Sequence, residues 1–449
     1  MAAATPLTSF WGKPMKLQKY LVAAVTAAGV FVLTGDNANA QQQQEDPRQL
    51  DGQAAFTGTL GQTRASFSNR FDSQWNPAMG FVLDGYGLLA GGGEGTSESY
   101  DSMGLRSMEF AVASRIDPLA WGYAAIEVAP HEGEYEFELA EAAIWADQLP
   151  NSMSLRAGRF LADFGKWNTI HLHDRPHPFS QGVQQEFLGG GLSMDGIELH
   201  QWGGIGDVPV RWSVGVGAKF SGHGHSLLAS AEEEEGDGDE HEHAHGFGTS
   251  DVGDLGLGGF AYTGRVSGQH DVGQNGYFQW GASLFMTPDG LSEEHEEAGD
   301  VELFMLGQTT FALDFTYRNV DAQGQTADTV GIELYWNDRD HVNEDTEEVE
   351  GHDAVGLWGF YEHAFSPYWA AGVEGSWWEH AGKEDGGDWL TGEDAGRQAA
   401  VYASWNPSEL QRVRFIVGMN QPDPEAELDH LVGIQWQVIL GSHTHALDW

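Results

Sequence analysis

The chain of 449 residues carries 21 Lys and Arg against 68 Asp and Glu, a formal net charge of −47, and no cysteine. Without cysteine there is no disulfide scaffold, iron–sulfur cluster or thiolate zinc site, and a surface this acidic repels nucleic-acid phosphate. Glycine, at 61 residues, is nearly twice its usual share of roughly 7%, and 17 Trp, 12 Tyr and 23 Phe argue against a collagen-like or disordered chain.

At the N-terminus Lys13, Lys16 and Lys19 precede an apolar run that ends at Leu33, and Ala38-Asn39-Ala40 follows. A basic start, a short apolar core and an A-x-A end make a secretory signal peptide over 1–40, cleaved near Ala40. The apolar core, about 13 residues, is short of the ~20 that a spanning helix needs. We expect a short periplasmic segment at 41–55 and a β domain at 56–449. No later apolar run is long enough for a membrane helix, so any further membrane crossing falls to strands, whose signal per segment is weaker.

The first distinctive stretch is 155–192. A strand through Phe160 gives way to irregular sequence broken by Pro176 and Pro178. It carries His171, His173, Asp174 and His177. A connection this long between barrel strands is expected to fold inward and narrow the lumen. His171, His173 and His177 are candidate metal ligands, with loop-packing histidines as the competing reading.

Segment 210–220 alternates strictly, Val210, Trp212, Val214, Val216, Ala218 and Phe220 against Arg211, Ser213, Gly215, Gly217 and Lys219. Residues 222–246 then bring His223, His225, His241, His243 and His245 among runs of Glu and Asp. Imidazole suits Zn, Cu and Ni, and the HxH and HxHxH spacings let several rings reach one ion from a flexible loop. Transient Zn²⁺ binding, with no tightly bound cofactor, is the expectation. Further His-acid loops are expected at 293–297 and around His341 and His352.

Alternation returns at 311–318, with Phe311, Leu313, Phe315 and Tyr317 opposite Ala312, Asp314, Thr316 and Arg318. It returns at 330–336, with Glu333 on the polar side, at 412–420, with Arg412 and Arg414, and at 432–440, with Gln435 and Gln437. Successive strand side chains face opposite ways, so each segment has one apolar and one polar or small face. Aromatic residues at segment ends (Trp336, Tyr368-Trp369, Trp377-Trp378) suit interfacial girdles. Short links such as Ser366-Pro367 and Asn406-Pro407-Ser408 alternate with long acidic connections.

The fold expected is therefore all-β: a transmembrane antiparallel barrel of about 16 strands (range roughly 14–18) with long acidic extracellular loops. Its pore lining would include Arg156, Arg211, Lys219, Asp314, Arg318, Glu333, Glu374, Arg412 and Arg414, with Gln435 and Gln437 beside them. The acidic excess points to a halophilic or marine source, where acidic surfaces stay hydrated in strong salt.

The run Ala157-Gly158-Arg159-Phe160…Phe164-Gly165…Asn168…His171-Leu172-His173, followed by Phe187-Leu188-Gly189-Gly190, resembles a family of bacterial outer-membrane proteins often labelled zinc-regulated outer-membrane receptors or porins. The ending Leu440-Gly441-Ser442-His443-Thr444-His445-Ala446 is also similar to that family's last strand and tail. The resemblance implies a Gram-negative outer-membrane barrel linked to divalent-metal supply, with His171, His173, His443 and His445 as matched positions. The sequence from Gln41 onward leaves no room for a plug domain, so passive rather than energised passage is expected. No G-x-S-x-G or HExxH sequence is present, and the expectation is a channel rather than an enzyme. It would sit in outer-membrane lipid as a homotrimer and pass small solutes, divalent cations such as Zn²⁺ foremost. The alternatives are a general or anion-tolerant porin with a basic ladder, and a metal-binding or adhesive barrel plugged by the 155–192 stretch.

Overall fold

The computed structural model describes residues 77–91, 102–131, 134–179, 181–206, 208–221, 259–273, 275–297, 300–342, 349–379, 395–408, 410–422 and 428–441. All fall in the second of two units, Met1–Gln44 and Glu45–Trp449. The expected signal peptide at 1–40, the segment at 41–55 and residues 56–76 lie outside the described residues.

The strands in order are β1 (Ala78–Gly91), β2 (Ser102–Asp117), β3 (Ala120–His131), β4 (Glu134–Leu149), β5 (Met153–Leu161), β6 (Leu192–Ile205), β7 (Val208–Ser221) and β8 (Ala261–Val272). They continue as β9 (Gly276–Glu297), β10 (Asp300–Val320), β11 (Ala327–Val342), β12 (Val349–Ser366), β13 (Trp369–Glu379), β14 (Ala395–Ser408), β15 (Gln411–Gln421) and β16 (Asp429–Gly441). Each pairs antiparallel with its chain neighbours, and β1 closes on β16, with Gly80 opposite Gly441. The sixteen-strand closed barrel is the architecture that the alternation implied.

The expected faces are realised residue by residue. On β10, Ala312, Asp314, Thr316 and Arg318 are buried, and Phe311, Leu313, Phe315 and Tyr317 face out. On β15, Arg412 and Arg414 are 2% and 1% exposed, whereas Phe415 and Val417 are 49% and 53% exposed. This inverts a soluble protein, in which charged residues are outside and large apolar ones inside.

Turns at one end of the barrel are short, from Pro118-Leu119 to the 321–326 link, and β1 starts and β16 ends at that same end. The strand ends joined by the long connections 162–191, 222–260 and 380–394 are all at the opposite end. Two expectations need correction. The His-acid stretches at 293–297, His341 and His352 are strand, not loop: Glu293 pairs with Phe304, Glu297 with Asp300, His341 with Glu350 and His352 with Arg339. β9 and β10 run 22 and 21 residues, beyond the ~9–11 that cross a bilayer. Cross-strand hydrogen bonds hold a hairpin extended whatever surrounds it, so charge density does not mark where the ladder stops.

The second correction concerns the aromatic girdle. Trp369 and Trp405 stack on the outer face with centroids 6.1 Å apart, and Trp336 is also exposed there. Trp378, however, is 4% exposed and turned inward. Adjacent strand residues face opposite sides, so Trp377 and Trp378 could not both lie outside.

The connection between β5 and β6 (162–191) folds into the lumen. It contains a 3₁₀ turn, Leu172–Asp174, and a short helix α1, Gly182–Leu188, which ends at Gly189 in the left-handed region (φ 70°). Its Phe164, Trp167, Val183, Phe187 and Leu188 form one buried cluster with Phe285, Tyr335, Trp358, Phe360 and Trp378 of the wall. Phe179 joins Leu88, Tyr402, Ile416 and Leu431 in a second. The wall leaves room for the helix at Gly356 of β12, where a Cβ would stand 2.1 Å from Val183 Cγ2.

Candidate functional site: the loop-lined lumen

Irregular backbone at membrane depth persists only where its polar groups find partners inside the protein. The wall supplies them in two ways. Carboxylates and hydroxyls accept from insert N–H groups: Glu198 from Asp163 (2.9 Å), Ser283 from Gly165 (3.0 Å), Glu333 from Lys166 (2.8 Å) and Trp167 (3.2 Å), Glu374 from Phe179 (3.1 Å) and Ser376 from Val183 (3.1 Å). Wall donors reach insert carbonyls: Arg412 to His173 (2.6 Å) and Arg175 (3.0 Å), Arg414 to Pro176 (2.8 Å) and Arg175 (3.2 Å), and Gln308 to Phe187.

Asn168 ties the two ends of the insert together. Its Nδ2 donates to Ala162 O (2.7 Å) and Leu192 O (3.0 Å), and its Oδ1 accepts from Leu192 N (2.8 Å) and Gln184 Nε2 (2.7 Å). Every donor and acceptor of the amide is used. Asp163 anchors the entry, accepting from Arg211 (2.7 and 2.8 Å) and Ser213 Oγ (2.6 Å). Burial acts to raise its pKa, but Arg211 and Arg265 outweigh burial and hold it well below the usual carboxylate range.

The expected pore-lining residues with described side chains all point into the barrel, but as partners of one another or of the insert. Arg156 pairs with Glu198, and Arg265 with Asp314 (Nη2–Oδ1 3.0 Å). Arg211, Glu333, Glu374, Arg412 and Arg414 hold the insert as above, and Arg318 is buried at 6% exposure. Gln435 and Gln437 donate to Asp84 (2.8 and 2.7 Å), which also pairs with Arg106. Of Lys219 only the backbone is described, opposite Met194. His223, His225, His241, His243, His245, His443 and His445 lie outside the described residues.

The insert's three histidines part company. His171 and His173 meet the β2–β4 side. His171 Nδ1 lies 2.9 Å from Glu109 Oε2, and its Nε2 donates to Glu141 Oε1 at 2.8 Å. His173 Nδ1 lies 3.7 Å from the same Glu109 oxygen, and its Nε2 is 3.7 Å from Asp174 Oδ2. Glu109, His171 and His173 each offer one ligand atom, and the three atoms lie within 4.8 Å of one another. Burial alone would lower the His171 pKa, but Glu109 and Glu141 hold it well above the usual histidine value. Beside this cluster a cavity of about 110 Å³ is lined by Arg106, Ser107, Glu127, Glu138, His171, His173, Arg175 and Gln184, with Leu161, Ile170 and Leu172 among the others.

His177 goes the other way. Its ring packs on Trp358 (4.7 Å between centroids), Phe360 (5.2 Å) and Trp167 (5.9 Å), and Nδ1–H donates to Phe179 O at 3.0 Å, with Glu374 Oε2 also 3.0 Å from Nδ1. Burial, then Arg175 and Arg414, keep its pKa well below the usual value. It is a packing residue, separate from the cluster. Glu109 and Glu141 escaped sequence reasoning: both stand on strands far from His171 in the chain, and their one signal was a carboxylate on an inward-facing strand position.

The chain matches no family model and no curated protein. Among solved structures it is similar to outer-membrane expressed OmpT of Vibrio cholerae, at 9% identity over 81% of this chain and 98% of that one, with a TM-score of 0.47. It is also similar to Salmonella typhi OmpF in complex with daunomycin (12% identity, 82% and 98% covered, TM-score 0.47). A third similarity is to the anion-selective porin from Comamonas acidovorans (8% identity, 81% and 99% covered, TM-score 0.46).

Proposed function

We propose that the protein is a porin-like outer-membrane channel that passes small solutes, divalent cations such as Zn²⁺ among them, down their gradient. The observation that carries this reading is the inverted sidedness of a closed barrel, with arginines and carboxylates inside and Phe415, Val417, Ile434 and Trp436 exposed outside. An apolar belt of that extent is stable against lipid and a liability in water. Short turns with both described chain ends fit the periplasmic side, and the longer connections fit the cell exterior.

Sixteen strands enclose enough space for an aqueous path. Apolar side chains of the insert pack on β9–β14, with Phe179 also reaching β15, β16 and β1, whereas on β2–β4 the wall carries Glu109, Glu127, Glu138 and Glu141. Carboxylates on that side favour cations, and the acid- and His-rich stretch at 222–246 would raise their concentration at the mouth. Reversal potential across a salt gradient in planar bilayers tests this. Cation selectivity that falls in a Glu127→Gln, Glu138→Gln double variant is expected, and anion selectivity of the wild type would overturn it.

One observation favours a second reading, a plugged barrel: the insert is hydrogen-bonded or ion-paired to β2, β4, β6–β11, β13 and β15 and packs on β12. That reading requires a folded protein that never conducts.

A further inference from the structure

We infer that Glu109, His171 and His173 form a built site for a divalent transition metal of the zinc class, where the insert meets β2. The site deepens the channel reading, because it names the cation class that the polar side of the lumen handles.

The geometry comes first. Zinc–nitrogen and zinc–oxygen bonds of about 2.0–2.2 Å place neighbouring ligand atoms of a tetrahedral site about 3.3 Å apart. Glu109 Oε2 stands 2.9 Å from His171 Nδ1 and 3.7 Å from His173 Nδ1, distances that bracket this edge length. The two imidazole nitrogens lie within 4.8 Å of each other, so drawing that edge in toward the tetrahedral value brings three ligands round one ion. The 3₁₀ turn makes this possible: Asp174 N bonds back to His171 O at 2.9 Å, so the two imidazoles leave the turn on the same side, 5.6 Å apart between centroids.

The surroundings match what metal-bound histidine needs. A ligating imidazole usually gives its other N–H to a carboxylate, which fixes the tautomer and raises the basicity of the bound nitrogen. Glu141 fills that place on His171 at 2.8 Å, and Asp174 stands 3.7 Å from the remaining nitrogen of His173. Two histidines and one carboxylate leave a fourth position open, and the adjoining cavity of about 110 Å³ has room for waters or an exchanging ligand. Charge is favourable too. Glu127 and Glu138 line the same cavity; of its two guanidinium groups, Arg106 is paired with Asp84 and Arg175 donates to Ile170 O. Imidazole with carboxylate selects zinc-class ions over Mg²⁺ or Ca²⁺, which prefer all-oxygen shells.

The test is titration of the refolded, full-length barrel in detergent with Co²⁺ and Zn²⁺. The background replaces His223, His225, His241, His243 and His245 with Ala, which removes the His-rich 222–246 stretch as a competitor. One equivalent of Co²⁺ with ligand-field bands of a nitrogen–oxygen site is expected. X-ray absorption of the Zn²⁺ form should show two imidazoles and a carboxylate. Affinity should fall roughly 100-fold or more in His173→Ala and in the isosteric Glu109→Gln, and roughly 10–100-fold in Glu141→Gln. The surface control His363→Asn should leave it unchanged. Heat-modifiable gel migration confirms that each variant remains a barrel.

Absence of the one-equivalent site in the folded background protein, or an unchanged affinity and spectrum in both Glu109→Gln and His173→Ala, overturns the inference. A barrel that conducts cations without binding metal here removes the site and keeps the channel. One that binds as described yet never conducts keeps the site and removes the channel.

Discussion

His171 and His177 stand on one short stretch of the insert and meet opposite halves of the barrel. His171 is held between two carboxylates beside a cavity that Glu127 and Glu138 also line, whereas His177 is enclosed by Trp167, Trp358 and Phe360. The wall, rather than the insert's own sequence, decides what each imidazole is: a group charged between carboxylates on the β2–β4 side, a neutral packing group on the β9–β14 side. The lumen is therefore a channel wall on one side and a protein core on the other.

Substitutions on the two halves should separate accordingly. The largest stability loss is expected at the anchor: Asp163→Ala leaves Arg211 and Arg265 buried without their shared carboxylate, at a cost of about 3–5 kcal/mol. Phe164→Ala on the packed side should cost a similar 3–5 kcal/mol through lost burial and the cavity left behind. Denaturant unfolding in detergent measures both. Asn168→Ala, which unties the insert's ends, should cost about 1–3 kcal/mol, because backbone groups of Ala162 and Leu192 lose their partner.

Acidity should sharpen the contrast, because the two histidines respond with opposite signs. His177 is neutral when folded and protonates near pH ~6.5 when unfolded, so its contribution is lost as pH falls through that value. His171 has a raised folded pKa. Its contribution is complete below pH ~6.5 and is lost as pH climbs through the folded value. The unfolding midpoint followed against pH should fall less steeply on the acid side in His177→Gln than in wild type. The smallest effect is expected outside the lumen: the Arg159–Asp195 pair (2.7 Å) is partly exposed, and Arg159→Ala should cost no more than about 1 kcal/mol.

Much of the barrel was legible in the sequence because a lipid-facing wall writes a period of two. The faces of 211–218, 311–318 and 412–420 follow directly from it. The packed half of the lumen was harder to read. Tyr335 falls on the same face as Glu333 by alternation, but Trp358, Phe360 and Trp378 point inward from strands that are apolar on both faces, where alternation says nothing about which aromatic residue belongs to the core. The role of the inner arginines was hidden as well. Arg412 and Arg414 read as a basic ladder until the carbonyls of His173, Arg175 and Pro176 arrive at their guanidinium groups. The inward fold of the 155–192 stretch and two of the cluster's three members were visible locally, as a Pro-broken stretch with an HxH pair. The third, Glu109, is supplied by strand pairing across the barrel, which no local spacing encodes.

The central claim is that the polar half of the lumen conducts past the insert. Single-channel recording of the refolded protein in planar bilayers tests it most directly, with wild type compared with a barrel in which residues 164–190 are replaced by a short Gly-Ser link. Small cation-selective steps in wild type, enlarged severalfold once the insert is gone, are expected. A silent wild type beside a conducting insert-free barrel would contradict the claim and make the insert a plug.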